Sequence, residues 1–236
     1  MRWQYQYVGQ PSGVGVLDKS VAVIEAVRTG SRSLADLTQT TGLSRATAHR
    51  LAVALEVHRL LRRDRAGRWL LGPRLSELAA GSPPDVLLER AGPVLARLRD
   101  GTGESAQLYR RSGENRVCLA AAERRTGLRD TVPVGAVLPM TAGSAAQVLL
   151  AWAPDDALPA HAAFSPRSLA EVRRRGWAAS VGEREAGVAS VSAPVRGPDG
   201  AVVAAVSVSG PIERLTRSPG RLHAAAVVAA AAELGG

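Results

Sequence analysis

Residues 42–56 read GLSRATAHRLAVALE. On an α-helix starting behind Ser44, the residues Ala48, Leu51, Ala52 and Leu55 follow the i, i+3, i+4, i+7 pattern and form one apolar stripe. Arg45, Ala46, His49, Arg50 and Val53 fall on the opposite face, with the polar groups gathered in its first two turns. A core helix would not crowd Arg45, His49 and Arg50 together, and a solvated helix would not need the stripe behind them. The stretch predicts a helix docked by its rear and presented by its front.

The flanking sequence gives that helix a setting. Val16–Val27 carries Leu17, Val21, Ile24 and Val27 at helical spacing, which predicts a first helix. In SLADLTQTTG, Ser33 with Asp36 three residues later reads as a capping-box start and Gly42 as a stop. The connection Thr40–Leu43 is short and contains glycine, as a helix-turn-helix requires. In LLRRDRAGRWLLG, two apolar-tipped runs, Leu60–Arg63 and Arg68–Leu71, flank a basic turn with Gly67 and predict a β-hairpin, or wing. Gly72–Ala80 is weakly helical, and GSPPD at 81–85 breaks the chain.

This order predicts a winged helix-turn-helix over residues 14–80, preceded by a flexible arm at 1–13 and followed by a second domain at 81–236. The front of a recognition helix enters the major groove, where arginine bridges base acceptors. Arg45, His49 and Arg50 are the candidate base-reading residues. The hydroxyls of Ser44 and Thr47 and the helix amides suit a phosphate. Wing residues Arg62, Arg63, Arg65 and Arg68 suit the neighbouring backbone, and Ser33 joins this DNA-binding set. Any one of these arginines alone reads as merely solvated; the ordered combination favours DNA.

Charge is placed accordingly. The chain has 236 residues and a net charge of +9. Residues 1–80 hold 12 basic and 6 acidic side chains, and residues 81–236 hold 18 and 15. Two thirds of the excess lies in the first third, as a basic module joined to a nearly neutral one would show. Such a balance favours a polyanionic partner. The single cysteine, Cys118, excludes an internal disulfide and fits a reducing cytoplasm. The N-terminus has no apolar signal region, and the longest apolar run, near Ala224–Ala232, is too short to span a bilayer. The expectation is a cytoplasmic protein with no membrane partner. His49, His58, His161 and His223 are scattered without metal spacing, so no metal or other cofactor is expected.

Beyond residue 85 the pattern alternates. Asp85–Arg99 reads as a helix carrying Pro93, SAQLYR and RVCLAAAE as adjacent antiparallel strands, and Gly143–Trp152 and Ser165–Arg175 as helices. GVASVSAPVRGPDGAVVAAVSVSG is a hairpin turning at Pro198-Asp199-Gly200, and an Ala-rich helix covers about Arg221–Leu234. The fold class is α+β: a winged helix-turn-helix, then an antiparallel sheet flanked by helices. Ser190, Ser192, Ser207 and Ser209 alternate on the hairpin strands, so each strand's pair shares a face. A four-residue loop would pair Ser190 with Ser207, whereas a five-residue loop would separate the two sets. Local packing of small serines and a ligand-binding face remain open alternatives. Cys118 reads as a buried small side chain, with redox sensing as the other reading. Glu183 and Glu185 flank Arg184 in a loop and could mimic a catalytic carboxylate pair, but no His or Cys lies near them in sequence and they read as solvated loop charges.

GVLDKSVAVIEAV, SLADLTQTTGLSRATAHRLAVALE and WLLGPRLSELA resemble the winged helix-turn-helix of IclR-family transcriptional regulators. The resemblance continues through TVPVG, LPMTAGSAAQVLLAW, EVRRRGWAAS and GEREAGVASVSAPVRGPDGAVVAAVSVSGP, so it covers nearly the whole chain after the arm. ERRTGLRDTVPVG and SVSGPIERLTRSPGR are similar to the NdgR-like actinobacterial branch, which is tied to amino-acid metabolism and leucine biosynthesis. The resemblance implies a GAF- or PAS-like sensor domain that binds a small, often carboxylated metabolite. By motif, Ser207 and Ser209 match its ligand-contacting hydroxyls, Ser190 a site often held by cysteine, and Ser180 a polar pocket position. Ser144 and Ala145 match a loop whose amides hold a carboxylate, and Leu128 or Asp130 would wall the far side. Where the family commonly has Gly-Lys-Ala, this chain has Ala146-Gln147-Val148.

The implied function is an effector-responsive regulator, a homodimer or tetramer on a double-stranded operator. The competing readings are a small-molecule enzyme with an accessory helix-turn-helix, and a sequence-independent nucleoid binder. The first lacks a defensible nucleophile–base pair or cofactor loop.

Overall fold

A computed structural model describes residues 12–28, 30–81, 85–154 and 157–235. The expected arm at 1–13 lies almost wholly outside the described residues. The chain divides into two compact units, Met1–Pro84 and Asp85–Gly236.

In the first unit, α1 (Gly15–Ala26), α2 (Leu34–Thr41) and α3 (Arg45–Val57) enclose a small core of Val23, Val27, Leu37, Ala52, Leu55, Leu61 and Trp69. Each boundary has a local cause. Ser33 accepts from the Asp36 amide while the Asp36 carboxylate accepts from the Ser33 amide, a reciprocal cap that satisfies two donors at the start of α2. Gly42 ends α2 in the left-handed region at φ 68°, where a Cβ would be strained. Ser44 then caps α3 by accepting from the Thr47 amide. The wing consists of β1 (Leu61–Arg63) and β2 (Trp69–Leu71), paired antiparallel with Leu61 opposite Leu71. Helix α4 (Pro73–Ala80) follows, with proline at its first turn.

The second unit is one antiparallel sheet between helices. Its strands are β3 (Ser105–Ser112), β4 (Asn115–Ala122), β5 (Val137–Pro139), β6 (Ala178–Val181), β7 (Val188–Arg196) and β8 (Val202–Pro211), in the order β5-β4-β3-β8-β7-β6. Leu108, Val191, Val195, Val206 and Val208 pack one face against α5 (Val86–Thr102) and α9 (Pro219–Gly235). Tyr109, Cys118, Ala178 and Ala205 line the other face beneath α6 (Ser144–Leu150) and α7 (Pro166–Arg175). The short helix α8 (Ile212–Leu215) leaves β8 and drops Leu215 into the first core.

The hairpin register corrects both sequence alternatives. Arg196 pairs with Val202, so the loop is the five-residue one, but an irregularity between Val195 and Arg196 adds a residue on β8. One extra residue reverses the parity of a strand. Ser190 therefore pairs with Ser209 and Ser192 with Ser207, and the two sets share a face after all.

Candidate functional sites

The register sets serine beside serine across four strands. Ser180 faces Ser190, Ser190 faces Ser209, and Ser209 faces Ser105. The next row runs Ser192, Ser207, Gln107. Ser144, the first residue of α6, descends onto this face. Its hydroxyl lies 2.7 Å from both Ser190 Oγ and Ser192 Oγ. Ser180 Oγ is 2.9 Å from Ser190 Oγ, and Ser192 donates to Ser207 at 2.9 Å. A chain of hydroxyls thus runs Ser180–Ser190–Ser144–Ser192–Ser207, each able to donate and accept. Such a chain can reverse its polarity to suit a donor or an acceptor.

Ser144, Ser180, Ser190, Ser207 and Ser209, with Ala145, Tyr109, Arg116 and Asp130, line a cavity of about 20 Å³, room for one water molecule. The β6–β7 loop closes it. Arg184 donates to both oxygens of Asp130, and both side chains are largely withdrawn from solvent. Burial opposes the charge of Arg184, but the Asp130 carboxylate outweighs it and raises the pKa. Glu183 accepts from the Gly143 amide at 2.9 Å and from the Gln147 side chain at 3.1 Å. Glu183 and Arg184 therefore face inward, contrary to their reading as solvated charges; only Glu185 remains exposed.

Of the expected effector set, Asp130, Ser144, Ala145, Ser180, Ser190, Ser207 and Ser209 converge on the cavity. Leu128 does not. It is 74% exposed, because the chain turns outward between β4 and β5 before Asp130 returns inward. The Ser144 amide already donates to Ser180 Oγ, so it is not free for a carboxylate in this state. Ser192 belongs to the strand alternation but not to the expected effector set, although its hydroxyl is central to the chain. Arg116 carried no signal beyond an arginine inside an apolar strand pattern. Cys118 is buried, and burial pushes its thiol up to about 12, so the reactive thiolate is disfavoured.

In the first unit, Ala48, Ala52 and Leu55 bury the rear of α3, while Arg45, Ala46, His49 and Arg50 are exposed and Thr47 is half-buried. Val53 departs from the expected outer face and packs partly on the core. Ser33 spends its hydroxyl on the α2 cap, both accepting from the Asp36 amide and donating to its carboxylate. In the wing, Arg63 stacks over Trp69 at 3.9 Å and approaches Glu56 at 3.4 Å, and Arg68 pairs with Asp64 at 3.1 Å. Arg62 and Arg65 are exposed beside them.

A helix-turn-helix with a cationic leading face, carried by a chain whose second domain encloses a polar cavity, defines a ligand-responsive DNA-binding regulator. The comparisons specify it further. Residues 16–65 match the IclR helix-turn-helix domain, and residues 85–165 and 163–234 match the bacterial transcriptional regulator IclR C-terminal domain. The chain belongs to the IclR family of transcriptional regulators. It is 30% identical to the glycerol operon regulatory protein of Streptomyces coelicolor over 220 residues, covering 85% of this chain and 86% of that one. It is 28% identical to the regulator BhcR of Paracoccus denitrificans, covering 94% and 86%. An IclR homologue from Microbacterium hydrocarbonoxydans, solved in complex with 4-hydroxybenzoate, superposes with a TM-score of 0.76 at 26% identity, covering 93% and 98%. These relatives are regulators, and the chain is a DNA-binding transcriptional regulator with a C-terminal effector domain, not an enzyme. Among the described residues no helix is long and apolar enough to cross a membrane.

Proposed function

We propose that the protein acts in the cytoplasm as a sequence-specific regulator whose operator affinity is set by a small organic acid or amino acid held in the serine cavity. The observation that carries this reading is the exposed front of α3, with Arg45, His49 and Arg50 clear of protein while Ala48 and Ala52 are sealed behind them. Arg50 and Arg45 read base edges, Ser44 and Thr47 hold a phosphate, and Arg62, Arg63, Arg65 and Arg68 follow the flanking backbone. Ser33 contributes by fixing α2.

A homodimer, or a dimer of dimers, fits a pseudo-palindromic operator. Support comes from α1 and the residue that precedes it, where Val14, Leu17 and Val21 are exposed at i, i+3, i+7 spacing. The resemblance to the NdgR-like branch makes leucine and its keto-acid precursors the first effector candidates. A differential affinity of about 1–3 kcal/mol between ligand states is enough to regulate.

The test is footprinting on the protein's own genome, followed by gel shifts on the sites found, with and without each acid. Defined sites whose occupancy shifts with one acid support the reading. Uniform coverage of DNA, insensitive to every acid, refutes it in favour of a nucleoid binder.

A further inference from the structure

We infer that an open groove at the end of the sheet remote from the serine cavity docks a short acidic and apolar segment of a partner protein. The groove, of about 480 Å³, opens where β3, β8 and β7 run out past the last turn of α6. Tyr109 of β3 and Pro194 of β7 both pair with Ala205, so β8 lies between the other two strands. Tyr109 and Ala205 belong to the face under α6. Strand alternation returns Arg111 and Val203, two residues farther along, to that same face. Arg196, opposite Val202, stacks over Trp152 at 4.4 Å. Leu149 and Pro154 complete the wall. The groove shares no lining residue with the serine cavity, and about 20 Å of β7 separates Ser190 from Arg196.

The groove is cationic and holds no counter-charge. Arg111 and Arg196 are exposed, each gives one donor to a carbonyl, that of Gly113 or Gly200, and neither stands in an ion pair among the described residues. The neighbouring Arg110 is different, since it is already matched by Asp85 at 2.9 Å. No acidic side chain lines the groove among the described residues. The excess is local, because residues 81–236 hold 18 basic and 15 acidic side chains. Arg111 and Arg196 leave the two strands that flank β8, so their stems stand about 10 Å apart. Between them Val203 is 38% exposed.

Two cations parted by an apolar floor are complementary to two acids parted by apolar side chains. A small metabolite is oriented by polar groups converging inside an enclosed site, whereas here both cations stand at the rim. A DNA duplex presents phosphates and no apolar side chain for Val203, Leu149 and Trp152. A peptide supplies both chemistries. In the polyproline II conformation every third residue returns to one face after about 9 Å, which spans the two arginines. Aromatic-lined grooves take such segments. The occupant therefore carries acids three residues apart, with proline and an aliphatic residue between them.

The experiment is fluorescence polarisation of the full chain at low salt with a fluorescein-labelled peptide of Glu-Pro-Leu repeats. One control peptide has glutamine for every glutamate, and the other, of Glu-Gly-Gly repeats, keeps the charge without the apolar residues. The Glu-Pro-Leu peptide should bind more tightly than both. Arg111→Gln and Arg196→Gln should each weaken it about two- to fivefold, as exposed charge pairs do, and Val203→Asp by about tenfold or more. Arg90→Gln, exposed on α5 across the sheet, should change nothing. All four positions are exposed, so the melting temperatures should stay at the wild-type value. No binding of the Glu-Pro-Leu peptide, equal binding of either control, or binding unchanged in all three groove variants would overturn the proposal. An equal loss in Arg90→Gln would reduce it to overall charge. If Arg111→Gln and Arg196→Gln weakened binding to random duplex DNA as much as to the peptide, the groove would belong to nucleic acid instead.

Discussion

The Arg184 Nη2 lies 2.7 Å from each carboxylate oxygen of Asp130, joining the β6–β7 loop to the segment between β4 and β5 over the serine cavity. The two partners are not equally sheltered: the Asp130 side chain is 6% exposed and that of Arg184 is 23%. Removing the arginine strands a buried carboxylate, whereas removing the aspartate leaves an arginine that can turn toward water. Arg184→Ala should therefore cost about 3 kcal/mol, and Asp130→Ala about 1 kcal/mol. Urea unfolding of each variant measures the difference, and equal losses would show that the exposure asymmetry has no energetic weight.

The hydroxyl chain gives a second ordering. Ser192 is fully buried and bonded to both Ser144 and Ser207, while Ser190 is only half-buried. Ser192→Ala leaves two hydroxyls short of a partner away from water and should cost about 1–2 kcal/mol. Ser190→Ala should cost less, because its site borders the cavity, which has room for a water to replace the lost bond. Denaturant midpoints of the two variants, compared at unchanged slope, check the order.

At the other end of the chain, Ser33→Ala removes the hydroxyl half of the α2 capping box and keeps the bond from the residue-33 amide to the Asp36 carboxylate. The expected loss is about 1 kcal/mol of stability, read as a lower unfolding midpoint with DNA specificity unchanged. A changed base preference in this variant would instead return Ser33 to the group that touches DNA directly.

The wing arginines divide by their engagement. Arg62 and Arg65 are exposed, whereas Arg63 is stacked on Trp69 and Arg68 is paired with Asp64. Neutralising Arg62 or Arg65 should lower the slope of log affinity against log salt by about 0.9 per phosphate contact, equally on all sequences. Titrations at several salt concentrations measure it, and an unchanged slope would place these residues off the phosphates.

Much of this was legible because it is periodic or local. The α3 stripe, the caps at Ser33 and Ser44, the Gly42 stop and the hairpin turn depend on near neighbours in the chain, and the structure has them where the spacing indicates. The short strands β5 and β6 escaped, since three or four residues are too few to establish alternation. The serine face turned on a one-residue irregularity between Val195 and Arg196, a detail of long-range pairing that no count of loop residues can supply. Leu128 was misplaced for a related reason: in a loop, residues two apart need not share a side. Glu183 and Arg184 look like loop charges until the fold brings Gly143 and Asp130 to them. Arg116 gives no sign in the sequence of lining the cavity, because alternation assigns a face to a side chain without saying what it meets there.

The most direct test of the central claim is the ratio of affinities for an operator found by footprinting and for random DNA of the same length, measured at two salt concentrations for wild type and Arg50→Ala. The account predicts a wild-type ratio well above one at both salts and a ratio near one for the variant, with its binding to random DNA almost unchanged. Equal losses on both DNAs would make Arg50 a phosphate contact, and a wild-type ratio of one would contradict sequence-specific regulation altogether.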